Sequence, residues 1–282
     1  MKLIICGNGH GIEAVYQGLK KSNIKFELCT TDKDMQKLAK KEKIKCYENY
    51  VDNITSKKDI VLTSSYKPKI PKSHIEKARF YNIHYALLPK YRGMHPIVWS
   101  ILNGEKFVGY TLHECSVLLD EGAIIHQEKI LIKKFSSWDL MIQIDKKVSK
   151  SVGSVIKKII NGKENRVSQK EKDAIYVAPR NLNDCKIVWD NWDTIFFKRA
   201  IQALVEPYPL PFFIHNKKNI EVYHAEVIQR DYIEINGHVV YVDSESILIK
   251  IPKGLLKVYK IRVDGSIINA NQYFKKIGIR FE

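Results

Sequence analysis

Asn82 and His84 stand two residues apart in Tyr81-Asn82-Ile83-His84-Tyr85, where bulky and polar residues alternate. That alternation predicts the end of a β-strand. Every second side chain of an extended chain points to one face, so the Asn82 amide and the His84 imidazole lie side by side. An amide N–H can hold an oxygen that gains negative charge, and an imidazole can take or give a proton near neutral pH. A polar pair satisfied inside a core is the competing reading of so short a pattern. A carboxylate would complete the set by orienting the imidazole and stabilising its cation. Asp120, in Leu118-Leu119-Asp120-Glu121-Gly122, can reach His84 if one further strand runs between them.

The elements that must position these groups read as an α/β fold. Lys2–Cys6 predicts a first strand, followed by a turn at Gly7-Asn8-Gly9-His10-Gly11 and a helix from about Ile12 to Ser22. Backbone N–H groups in such a turn can meet a phosphate, which makes Asn8, Gly9 and His10 candidate substrate contacts. A tight βα turn with no ligand is the alternative. The motif falls short of G-x-G-x-x-G, and no acidic residue closes the next strand, Lys25 to Thr30; Asp32 comes late, in a polar turn. Both points speak against a dinucleotide. A Lys-rich helix over Asp34 to Lys43 and a strand over Asp59 to Ser64 follow. Tyr66, Lys67 and Lys69 stand just past that strand's C-terminal end, where ligands collect in open α/β sheets. A short helix spans Ser73 to Lys77.

After the Asn82/His84 strand, Pro89 to Gly93 predicts a loop, and His95-Pro96 opens a helix with Trp99 one turn in. A tryptophan there is more often core than ligand. Gly109 to His113 alternates like a strand; His113 either faces the site or is a satisfied buried histidine. Ala123 to Ile132 is another strand. Ser136-Ser137 caps a helix over Asp139 to Ile160, where Leu140, Ile144, Val148, Val152 and Ile156 recur at helical spacing before Asn161-Gly162. These elements make a Rossmann-like, mostly parallel sheet with helices on both faces, over residues 1–175. Polar Gly162 to Lys172 reads as a linker. Residues 176–282 carry a helix near Thr194 to Leu204, then strands over Ile220–Ile228, His238–Val242, Ser246–Ile251 and Leu255–Arg262 with turns at Asn236-Gly237 and Lys253-Gly254, a small all-β subdomain.

Composition narrows the classes. The 282 residues are 45% hydrophobic, enough for a proper core. No apolar run approaches the roughly 18 residues of a membrane span, and Met1 to Gly7 is too short for a signal peptide. Five dispersed cysteines without metal-like spacing suit reduced thiols in a cytoplasm and give no metal site. The formal net charge of +16 would fit a nucleic-acid partner, but the excess is mostly Lys on amphipathic helices, where it solvates a face. Residues 176–282 hold 15 basic and 12 acidic residues, so the terminal part is nearly balanced.

Asn82-x-His84, Leu87-Leu88-Pro89-x-x-Arg92-Gly93 and Asp120-x-Gly122 together resemble the formyltransferase family, whose members move a formyl group from N10-formyltetrahydrofolate to an amine. The resemblance covers residues 1 to 150 well and the remainder loosely. It implies that Asn82, His84 and Asp120 are catalytic. It puts a pterin slot near Leu88, Val117, Leu118 and the Asp120 loop, with Arg92 and Gly93 shaping the loop beside it. It also makes Asn8, Gly9, His10, Tyr66, Lys67, Arg92, Gly93, Met94 and Trp99 candidate substrate contacts. His95-Pro96-x-x-Trp99 with Gly109-x-Thr111-x-His113 is similar to the sugar N-formyltransferase branch. That branch implies a nucleotide-linked amino sugar (a dTDP-linked 3- or 4-amino-dideoxyhexose), a place in surface polysaccharide or O-antigen synthesis, and a homodimer supported by the tail, Asn269 to Glu282. The C-terminal subdomain would then be OB-like. A tRNA-directed member would carry a basic C-terminal domain, which the balanced charge here disfavours, so neither nucleic acid nor membrane is expected as partner. The alternatives are methionyl-tRNA formyltransferase, a nucleotide-binding oxidoreductase, and a basic nucleic-acid-binding module.

Overall fold

Leu3-Ile4-Ile5-Cys6 and Ile60-Val61-Leu62-Thr63-Ser64 are buried at every position, the pattern of strands covered on both faces. They lie next to each other at the centre of the main sheet in the computed structural model, which describes residues 1–281. Glu282 lies outside the described residues.

The first compact unit comprises Met1–Ile97, Lys106–Ile132 and Asp139–Ala178. In chain order it contains β1 (Leu3–Cys6), α1 (Gly9–Lys21), β2 (Glu27–Cys29), α2 (Lys33–Lys41), β3 (Cys46–Tyr47), β4 (Ile60–Ser64), α3 (Lys72–Ile75), β5 (Arg79–His84) and β6 (Arg92–Gly93). Beyond α4 (Pro96–Leu102), where the division between units falls, come β7 (Phe107–Glu114), β8 (Ile124–Leu131), α5 (Ser137–Ile160) and β9 (Tyr176–Val177). The sheet runs β3-β2-β1-β4-β5-β7-β8. The first five strands are parallel; β7 joins β5 antiparallel and β8 joins β7 antiparallel. The sheet is therefore α/β and mostly parallel, with two antiparallel strands beyond the one that carries Asn82 and His84. On α5, Leu140, Ile144, Val148, Val152 and Ile156 are all buried. Each such side chain contributes about 1.5–3 kcal/mol by leaving water.

Segment 162–172, expected to be a linker, is a packed part of this unit. Val167 exchanges two backbone hydrogen bonds with Ile124 at the start of β8. Gln169 and Glu171 reach inward to side chains and carbonyls of the first unit. Polar composition misled here because hydrogen bonds, not apolar contacts, fix the segment.

The second unit takes Val98–Glu105, Lys133–Trp138 and the chain from Pro179 on. After α6 (Thr194–Ala203) it forms an antiparallel sheet from β10 (Phe212–His215), β11 (Lys218–Ile228), β12 (Val239–Val242), β13 (Ile247–Ile251), β14 (Gly254–Val263) and β15 (Ser266–Asn269). A short α7 (Ala270–Tyr273) follows. The tail proposed to support a dimer packs into its own unit: Phe281 stacks on Trp189 at 5.7 Å and lies 4.3 Å from Phe213, and Phe274 is fully buried. Those rings are not available to a second copy. No helix among the described residues is long and apolar enough to cross a membrane.

Candidate active site

Strand pairing brings the chemistry together. In the parallel pair β4/β5, Thr63 stands opposite Asn82. In the antiparallel pair β5/β7, Asn82 stands opposite His113, and His84 opposite Thr111. Asp120 follows β7 in the turn to β8, so one strand carries the chain from His84's neighbour to the carboxylate. Asp120 and His84 are 9% and 8% exposed and His113 2%, whereas Asn82 is only half-buried.

The hydrogen bonds fix which atom does what. His113 Nδ1 lies 2.7 Å from the Glu114 carbonyl, which can only accept, so Nδ1 carries the hydrogen. Its Nε2 then offers a lone pair to the Asn82 Nδ2, 3.3 Å away. At the other end of the amide, the Thr63 hydroxyl donates to Asn82 Oδ1 at 2.8 Å. The amide is thereby held in one orientation, with one N–H spent on His113 and the second left over. His84 Nε2 lies 2.7 Å from the Tyr91 carbonyl and must donate to it. Its Nδ1 faces Asp120 Oδ2 at 3.6 Å, and His113 Nε2 faces Asp120 Oδ1 at 3.5 Å.

Burial pushes the His84 imidazole below its ordinary pKa, although Asp120 and the Tyr91 carbonyl act the other way. Neutral His84 therefore presents a bare Nδ1 lone pair. Burial alone would raise the Asp120 carboxyl, but His84, His113 and the Gly93 N–H outweigh it and bring it to about 2. The Gly93 N–H donates to Asp120 Oδ2 at 3.0 Å. Asp120 and Tyr91 both have left-handed backbones, φ 57° and 61°. Each costs roughly 1–2 kcal/mol that the surrounding hydrogen bonds must offset. Gly93 has φ 109°, and a Cβ there would collide with the Val177 carbonyl oxygen of β9, so the glycine is required for this close approach.

The remaining candidates are placed unevenly. Leu88 is buried and its backbone is tied to Thr111 Oγ1 (3.1 Å) and Gln127 Nε2 (2.8 Å), while Val117 and Leu118 are exposed by 47% and 61% just before Asp120. Met94 is exposed. Arg92, a candidate substrate contact, is not open: its guanidinium is 1% exposed and bound to Gln169, Glu171 and Tyr176. The glycine turn is likewise occupied. Asn8 Oδ1 accepts from Thr30, Thr31 and Asp32, and the Gly9 N–H donates to Asp32 Oδ2 at 3.0 Å, so a carboxylate already holds the place offered to a pyrophosphate. His10 Nδ1 pairs with Asp145 at 3.0 Å. Tyr66 packs on Tyr50 with ring centroids 6.0 Å apart, and Lys67 is exposed. Trp99 belongs to the second unit, where the Arg180 guanidinium lies over its ring. Thr63, Tyr91 and Gln169 went unread in the sequence. Of these only Thr63, at the C-terminal end of a strand beside Asn82, left a usable signal. Among the described residues no group of three or more His, Cys, Asp or Glu could hold a metal ion.

Known proteins resemble the chain in both of its units. Residues 47–151 match the family described as formyl transferase, and residues 181–278 its C-terminal domain. Methionyl-tRNA formyltransferase of Campylobacter lari is 30% identical over 233 residues, which cover 80% of this chain and 73% of that protein. The chain belongs to the formyl transferase family. Among solved structures this formyl transferase is similar to the N-formyltransferase of Helicobacter canadensis in complex with folinic acid and dTDP-3-aminofucose. The TM-score is 0.73 at 20% identity, covering 93% of this chain and all of that one. It is also similar to HypX from Aquifex aeolicus, with a TM-score of 0.66 at 16% identity; the match takes in 98% of this chain but only 47% of that longer one.

Proposed function

We propose that this formyl transferase moves the formyl group of N10-formyltetrahydrofolate to the amine of a nucleotide-linked amino sugar, a dTDP-linked 3- or 4-amino-dideoxyhexose in particular. The observation that carries the reading is the combination of a spare Asn82 N–H, a bare His84 Nδ1 and an ionised Asp120 within one hydrogen-bonded cluster. The residues fit a folate: exposed Val117 and Leu118 beside Asp120 offer apolar surface to a flat ring, and Asn82 offers a donor to the group transferred. Bound there, the folate supplies the formyl carbon. The Asn82 N–H donates to the formyl oxygen as it gains charge. His84 Nδ1 takes the proton of the incoming amine, and Asp120 stabilises the imidazolium until that proton passes to the departing nitrogen. Asn82, His84 and Asp120 are catalytic in this reading; Leu88, Val117, Leu118 and the Asp120 loop line the folate, and Met94 and Lys67 face the sugar nucleotide.

The near-neutral C-terminal part and the full-length likeness to a sugar N-formyltransferase support the amino sugar. In that reading the enzyme acts in the cytoplasm as a homodimer, on precursors of surface polysaccharide. The 30% identity to a methionyl-tRNA formyltransferase favours charged initiator tRNA as a second reading. Mass spectrometry of protein incubated with N10-formyltetrahydrofolate and a panel of dTDP- and UDP-amino sugars decides between them. A gain of one formyl mass on a sugar is the expected result. Silence on every sugar, with formylation of methionyl-tRNA, makes the second reading correct.

A further inference from the structure

Asp120 is gripped from outside the reacting groups. Gln169 Nε2 donates to the Asp120 carbonyl at 2.7 Å and to the Gly122 carbonyl at 2.8 Å, so its two hydrogens bracket the turn at Glu121. Its Oε1 accepts from Arg92 Nε and Nη2 at 3.2 and 3.0 Å. A flipped amide would set oxygen against two carbonyls and nitrogen against a guanidinium, so the orientation is forced. Arg92 Nη1 is anchored on Glu171 at 2.9 Å and also faces Glu121 at 3.4 Å. Arg92 directly precedes Gly93, whose N–H donates to Asp120 Oδ2. The ring is closed: through its side chain Arg92 sets the Asp120 backbone by way of Gln169, and through the next peptide it sets the carboxylate. A non-glycine residue at φ 57° stays there only when its neighbours hold it.

We propose that Gln169 and Arg92 are positioning residues that hold the Asp120 turn in its left-handed conformation and so keep the carboxylate against His84 and His113. This rests on the reading of Asp120 and His84 as the proton-handling pair, and the test separates the two. The groups that bear on His84 are Asp120, His113 and the Tyr91 carbonyl. Displacing the Asp120 carboxylate removes the one anion, so the imidazolium is less favoured and His84 titrates at lower pH.

The experiment compares wild type, Gln169→Leu and Gln169→Glu by histidine side-chain NMR titration of the substrate-free protein and by steady-state formyl transfer. Gln169→Glu keeps the Arg92 pair but turns oxygens toward both carbonyls, which tests the grip without emptying the site. The expected result in both variants is a His84 titration moved to lower pH and kcat reduced about 10²-fold, the scale of an ångström of misplacement, with KM for both substrates little changed. An unmoved His84 titration in either folded variant overturns the proposal, as does a raised KM at unchanged kcat, which would make Gln169 a substrate contact. The titration needs no substrate, so it remains decisive if wild type proves inactive on amino sugars. If Gln169→Leu does not fold, Gln169→Glu and Arg92→Lys, which loses the two-pronged contact, carry the same two readouts.

Discussion

Replacing Asp120 by Asn removes one charge and leaves the shape of the side chain. The variant should fold. The oxygen of the new amide can take the place of Oδ2 and still accept the Gly93 N–H, its nitrogen then replacing Oδ1 opposite His113 Nε2; His84 Nδ1 lies 3.6 Å from the Oδ2 position. What is lost is the attraction between a carboxylate and an imidazolium at that separation. In a partly screened site, with an effective dielectric near 20, unit charges about 4 Å apart attract by about 4 kcal/mol. That is about three powers of ten in rate if the imidazolium is fully formed in the transition state. We therefore expect kcat to fall by about 10²–10³. The pH dependence has a definite sign. Activity fails on the acid side as His84 becomes protonated, and burial already sets its pKa below the ordinary value while Asp120 partly restores it. Without the carboxylate the imidazole is harder to protonate, so the acid limb of kcat/KM moves to lower pH. Steady-state formyl transfer across the pH range measures both. A variant that keeps more than about a tenth of wild-type kcat, or whose acid limb stays or moves upward, would refute the assignment of Asp120 as the partner of the His84 cation.

Asn82→Ala should lower kcat by about 10²–10³ with the thermal midpoint nearly unchanged, since the residue is half-buried. Thr63→Val frees the Asn82 amide to rotate and should cost about tenfold in kcat, because only one N–H is then correctly aimed part of the time; calorimetry should show little loss of stability. Replacing both Val117 and Leu118 by Ser should raise KM for the formyl donor about tenfold at constant kcat, and an unchanged KM would move the folate elsewhere. Gly93→Ala should lose roughly 2–3 kcal/mol in urea denaturation, from left-handed strain together with the collision at Val177. The Asp120 carboxyl titrates at about 2 in the folded chain and near 3.9 when unfolded, so it contributes roughly 2–3 kcal/mol above pH 5 that is lost as pH falls from about 4 to 2. Denaturation of Asp120→Asn should lack that part of the acid slope.

The main strands and α5 were legible because their apolar residues repeat at strand or helix spacing. Asn82 and His84 were legible because alternation alone puts them on one face. Other features depended on where distant segments meet. That His113 reaches Asn82 and Asp120 follows from the antiparallel register of β5 and β7, which sequence spacing leaves open. Arg92 read as a candidate substrate contact because its partners, Gln169 and Glu171, lie 77 and 79 residues away in a segment that looked like a linker. The glycine turn read as an anion site because nothing in the sequence says that the Asp32 side chain turns back onto Gly9. β10 was missed because Pro207 to Phe213 is proline-rich up to its first residues.

The two imidazoles share a logic that accounts for the single carboxylate between them. Each spends its N–H on a main-chain carbonyl, His84 on Tyr91 and His113 on Glu114, so each turns its other nitrogen toward Asp120. His113's lone pair is taken by Asn82, which leaves His84 Nδ1 as the one nitrogen of the pair with no donor in this cluster. A proton arriving with an amine thus has one preferred landing point, and the charge it creates sits 3.6 Å from an anion already stabilised by the Gly93 N–H. The same bond that orients Asn82 keeps His113 from competing for the proton. For His113 to take the proton instead, Asn82 would have to give up its hydrogen bond to Nε2, which would release the amide from its fixed orientation. The main-chain carbonyls fix which nitrogen each imidazole turns inward, and the Asn82 amide decides which of the two takes the proton.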